Sequence, residues 1–164
     1  MRNRIFEIRR EKPFTREEIE HGTIDTENHK FFSGDILDVV PADMRKGHIK
    51  DLAFRTNVKN VFHLVDDNTL SLDQKAYDRF IEEWVDDIKK KASVLTPIEF
   101  SSLLKCSVAR ALSREEYGCI YVFYHDDDEW DFYPVDEFIR MCSYLDDNGD
   151  GRKFYIGAIH NYTC

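Results

Sequence analysis

The clearest pattern in the chain lies at 72–92, where Tyr77, Phe80, Ile81, Trp84, Val85 and Ile88 recur at the spacing of one helix face. Ser71-Leu72-Asp73-Gln74 reads as a capping box at its start. On the outer face Asp86 and Lys90, and Asp87 and Lys91, stand four apart, acids early and lysines late, as the helix dipole favours. A second helix is predicted over 97–112. Thr96 caps it, Pro97 takes the first turn and Glu99 closes the box. Its apolar face is Phe100, Leu103, Leu104, Val108, Ala111 and Leu112.

Elsewhere the pattern shortens to strands. Residues 3–9 alternate in part and are polar at both ends. Val58 to Val65 reads as a strand stopped by Asp66-Asp67-Asn68. Cys119-Ile120-Tyr121-Val122-Phe123-Tyr124 is apolar on both alternating faces, as a central strand is. Asp126-Asp127-Asp128 turns the chain into Trp130-Asp131-Phe132-Tyr133, and Pro134 ends that return strand. Phe138, Met141, Cys142 and Leu145 mark a helix, and Phe154 to Ile159 a last strand. Thr15-Arg16-Glu17-Glu18 caps a short helix closed by Gly22, and helical turns are expected at 34–40 and 42–54, broken by Pro41.

Together these predict an α+β fold. It is a mainly antiparallel sheet, with strands near 3–9, 58–65, 118–125, 129–134 and 153–160, carrying packed helices near 72–92, 97–112 and 135–145. No repeat or low-complexity linker divides the chain, so one domain over 1–164 is expected. The opening Arg4-Ile5-Phe6-Glu7-Ile8 and the closing Phe154-Tyr155-Ile156-Gly157-Ala158-Ile159 resemble small uncharacterised acidic proteins of bacterial mobile elements. The resemblance covers the two ends and the hairpin before the tail. It implies a bacterial or phage-like accessory protein and brings no activity and no functional residues with it.

Composition supports a packed core: 42% of residues are hydrophobic and 13% aromatic, unlike a disordered chain. No apolar run approaches the ~20 residues that cross a bilayer. The basic start, Met1 to Arg4, has no apolar stretch behind it, so no signal peptide is expected. Cys106, Cys119, Cys142 and Cys164 show no CxxC spacing, and four free thiols in a reducing cytoplasm are expected.

Charge changes the picture more. The net charge is −9, and 126–150 holds ten acids against one base, Arg140, while the remaining chain has 22 of each sign. The whole imbalance therefore sits in one segment, which repels nucleic acid and anionic membrane and attracts cations or basic proteins. Lys89-Lys90-Lys91 is the only triple base, and Asp86 and Asp87 offset it.

Candidate chemistry is sparse. Asp146-Asp147-Asn148-Gly149-Asp150-Gly151 starts like a calcium loop, with oxygen ligands at the first, third and fifth positions and glycine at the sixth. Lys153 and Gly157 then stand where an apolar residue and the bidentate glutamate belong, so a solvated turn is expected. Millimolar calcium should leave the melting temperature unchanged, because only a ligand of the folded state raises it. A rise of several degrees, abolished by Asp146→Ala, would reinstate the calcium site. No P-loop, GxGxxG or GxSxG occurs, and none of the six histidines is paired by spacing with a nucleophile. No catalytic residue, metal or cofactor is therefore assigned, which weighs against an enzyme. The alternative is a small hydrolase-like or metal-dependent enzyme using His125 and its neighbouring carboxylates. His160, in or just after the last strand, reads as a hydrogen-bonded structural histidine.

The favoured expectation is an interaction protein. Asp126, Asp127, Asp128, Glu129, Trp130 and Asp131 form an acidic hairpin carrying a residue type enriched at binding hot spots. Carboxylates in rows imitate phosphates, so the expected partner is a protein with a basic surface, such as a nucleic-acid enzyme.

Overall fold

The computed structural model describes residues 3–25, 35–55, 61–102, 107–113, 120–126, 129–144 and 152–163. The strands are β1 (Asn3–Arg9), β2 (Asp35–Val39), β3 (Phe62–Asp66), β4 (Thr69–Leu72), β5 (Ile120–Asp126), β6 (Glu129–Pro134) and β7 (Lys153–Thr163). The helices are α1 (Arg16–His21), α2 (Ala42–Arg55), α3 (Gln74–Ser93), α4 (Pro97–Ser101), α5 (Ser107–Ser113) and α6 (Val135–Met141), the last running into a 3₁₀ turn at Cys142–Tyr144. The expected α+β class holds. Among the described residues no helix is long and apolar enough to cross a membrane.

All seven strands form one sheet in the order β3-β4-β7-β1-β5-β6, with β2 also pairing β7. Every ladder is antiparallel except β1 with β5, which is parallel. The sheet is thus mixed, and mainly antiparallel as expected. The central strand β1 is buried on both faces. One face carries Phe6, Ile8, Val122, Phe154, Ile156 and Ile159 under α2, α3 and α6. The other carries a smaller cluster of Ile5, Phe123, Tyr162 and Ile24.

Local signals account for several boundaries. The Thr15 and Thr96 hydroxyls accept the amides of Glu18 and Glu99, whose carboxylates return the bond, so both capping boxes form. Helix α1 stops at Gly22, whose φ of +80° suits glycine. Along α3 the expected face is real for Tyr77, Phe80 and Trp84, with Ile81 and Ile88 packed at its edge, whereas Val85 is 40% exposed.

Several expectations need correction. The segment read as helical turns at 34–40 is strand β2, because Ile36 and Val39 find ladder partners in Tyr162 and His160. Of the strand placed at 58–65, residues 58–60 lie outside the described residues; β3 starts at Phe62, and it returns at once as β4, an element the sequence reading missed. Asn68 makes that turn by donating its amide to the Asp66 carboxylate at 2.8 Å. Ser71 therefore belongs to a strand, and the N-cap of α3 is Asp73, accepting from the Ala76 amide. Asp86 pairs with Lys89 at 3.8 Å, while Asp87 and Lys91 pair as expected at 3.0 Å.

The helix expected over 97–112 is not continuous. It ends at Ser102, whose ψ of 66° is non-helical, and α5 starts afresh at Ser107. The apolar face that argued for one helix is buried only in part: Ala111 is buried, whereas Phe100 is 60% and Leu112 58% exposed. Leu103 and Leu104 lie outside the described residues, as does Leu145 beyond the helix expected to reach it.

Candidate functional site

The acidic hairpin forms where expected. β5 and β6 pair from Tyr121↔Pro134 to Asp126↔Glu129, so two acids face each other at the end of the ladder. β6 is the outermost strand on its side of the sheet. Trp130 is 40% exposed and stacks on Phe123 at 5.7 Å between ring centroids. Phe132 stacks on Tyr121 at 5.1 Å. On the opposite face exposed Asp131 accepts the Tyr133 hydroxyl at 2.7 Å. Burial, and then that carboxylate, pushes the phenol of Tyr133 up. Asp127 and Asp128 lie outside the described residues, as do Asp146, Asp147 and Asp150 of the loop compared with a calcium site.

The next acids of the same segment are not free surface charges. Asp136 is buried at 6% exposure, and Glu137 accepts Arg140 at 3.0 Å. Of the hairpin acids, Asp131 is the one whose exposure is described.

A second polar centre, which the sequence did not suggest, lies on the same sheet face as Trp130. Its core is Glu7, a fully buried carboxylate on β1. Glu7 Oε1 accepts the amides of Thr23 at 2.8 Å and Ile24 at 3.2 Å, and Nε2 of buried His160 at 2.7 Å. Glu7 Oε2 accepts the Thr23 hydroxyl at 2.9 Å. A carboxylate only accepts, so His160 carries its proton on Nε2. Since the Thr23 hydroxyl spends its proton on Glu7, the Nε2 of His125, 3.3 Å away, is the donor there. His125 thus turns to Thr23 and Phe14, and a chain of bonds runs His125–Thr23–Glu7–His160 across three strands.

The backbone is shaped around this centre. Between Phe6↔Ile159 and Ile8↔Ile156, β7 holds one residue more than β1, a bulge directly across from Glu7. Buried Arg45 of α2 donates to the carbonyls of Ile156 and Gly157 and to Asn68, closing the bulge from the other face. Burial lowers the Arg45 guanidinium to about 10, against the pull of Glu7. A Cβ on Gly22 would come within 2.6 Å of the His160 ring, and one on Gly157 within 2.5 Å of Phe14. Both glycines therefore let the covering chain lie close on the sheet.

The expectation for His160 agrees with this geometry. Among the described residues no three His, Cys, Asp or Glu side chains converge as metal ligands. Of the cysteines only Cys142 is described; it is a free, buried thiol pushed up to about 12 by burial. Compared with known proteins, the chain matches no family model, no curated protein and no solved structure.

Proposed function

We propose that this is a non-enzymatic accessory protein that binds a basic surface of a partner protein through the β5–β6 hairpin. Occupying a nucleic-acid enzyme's basic groove by mimicry of phosphates is its sharpest form. The observation that supports this reading is the position of the hairpin. Its acids sit at the end of an outermost ladder, beside a half-exposed tryptophan stacked on Phe123. Rigid aromatics beside charge bind at low entropic cost, and the charge steers the encounter.

Charge steering has a salt signature, because exposed charges are screened over about 8–10 Å near physiological ionic strength. Changing Asp126, Asp127, Asp128 and Glu129 to Asn or Gln is expected to slow association with a partner captured from the host. The difference should shrink as salt rises, and the melting temperature should barely move. Neutralising Glu17 and the Arg16-paired Glu20, both exposed on α1, is the control and should do much less. Equal association rates for the hairpin variant and the wild type would leave the segment as a solubilising face.

A further inference from the structure

We propose that residues 10–25 form a strap that lifts from the sheet as a unit while the sheet stays folded. This inference stands apart from the reading of the hairpin.

Segments that open locally are those with few buried apolar contacts. Of the sixteen residues 10–25 only Phe14 and Ile24 are buried, and α1 contributes none. Phe14 lies over Gly157, edge-on to His125, with the Arg9 guanidinium 3.9 Å above its ring. Ile24 packs on Ile5, Phe123 and Tyr162. Each anchor is thus a single side chain on an otherwise polar segment.

Polar clasps add to the hold, two of them from β1, beside the bond from His125 of β5 to Thr23. Glu7 grips the C-terminal end of the strap through the Thr23 amide, the Thr23 hydroxyl and the Ile24 amide. Arg9, on the same face of β1, grips the other end. Its guanidinium donates to the carbonyls of Lys12 at 2.8 Å and Pro13 at 2.7 Å, and forks onto both oxygens of Glu18 at 3.0 and 2.9 Å. That fork holds the Glu18 carboxyl down at about 2. Releasing the strap breaks these bonds but leaves every ladder of the sheet intact. It uncovers Phe123 and Tyr162, an aromatic face continuous with the stacked Trp130.

The test is native-state hydrogen exchange, comparing amides of the strap (Ile19, Gly22, Thr23, Ile24) with those of β7. The strap should exchange much faster than β7. Glu18→Gln weakens the Arg9 fork, and Thr23→Val removes the hydroxyl's bonds to Glu7 and His125, while the Thr23 and Ile24 amides keep theirs to Glu7. Each should speed strap exchange roughly ten-fold or more, the effect of losing a hydrogen bond, and leave β7 exchange unchanged. Strap amides exchanging at the β7 rate would overturn the proposal. So would variants that leave the strap unchanged or speed strap and β7 alike.

Discussion

Trp84→Ala is expected to destabilise the protein by about 3–5 kcal/mol, the range for emptying a large aromatic site in a core. Trp84 is 4% exposed at the middle of α3, with Phe80 edge-on at 5.5 Å. Its indole N–H donates to the carbonyl of Ala111, so the same side chain also ties α5 to α3. Truncation removes packing and leaves a buried carbonyl without its donor. A whole stability of about 5–15 kcal/mol does not absorb such a loss easily. Urea unfolding followed by far-UV circular dichroism measures it. Trp84→Phe should recover part of the packing but not the bond to Ala111. A loss under about 1 kcal/mol for alanine, the size of a surface change, would mean that α3 does not dock as described.

A loss of similar size is expected for Glu7→Ala, for a different reason. Four donors converge on this carboxylate, and three of them, His160 Nε2 and the amides of Thr23 and Ile24, have no other acceptor in view. Each buried donor left without its acceptor costs about 1–3 kcal/mol, and the loss falls on several donors at once. Arg45 also loses the Coulombic pull of Glu7. Glu7→Gln keeps the shape and one acceptor oxygen, so its loss should be clearly smaller. If alanine and glutamine prove equally harmless, water reaches this centre and the pair is not structural.

The two residues show what the sequence displays and what it hides. Trp84 was legible because its neighbours recur along one helix, and the periodicity is local. The capping boxes at Thr15 and Thr96 were legible for the same reason. Glu7 was not, since its partners lie 16, 17 and 153 positions away and nothing in the strand's own pattern calls for them. The one available hint was a charge at an inward position of a strand otherwise rich in isoleucine and phenylalanine. His125 illustrates the same limit: it adjoins three aspartates in sequence, yet the bond described for it goes to Thr23, 102 positions earlier. Strand β2 was misread because Ile36, Leu37, Val39 and Val40 fit either period over so short a run, and the pairing with β7 decides the matter. The hairpin boundaries were readable from alternation and Pro134, but the exposure of Trp130 depends on β6 being outermost, which no local signal encodes.

The sheet order has a consequence for how the chain comes into being. Of the described strands β1 comes first in the chain, but its two neighbours are β5 and β7, and β7 comes last. On a ribosome, the first strand must therefore wait with both edges open for more than a hundred residues. The closing strand also joins β2 and β4, so three parts of the sheet become one only when residues 153–163 arrive. Contacts so distant along the chain slow folding and prolong the exposure of sticky edges. For this protein, the sheet cannot close before residues 153–163 have emerged, and until then its strands stand with open edges.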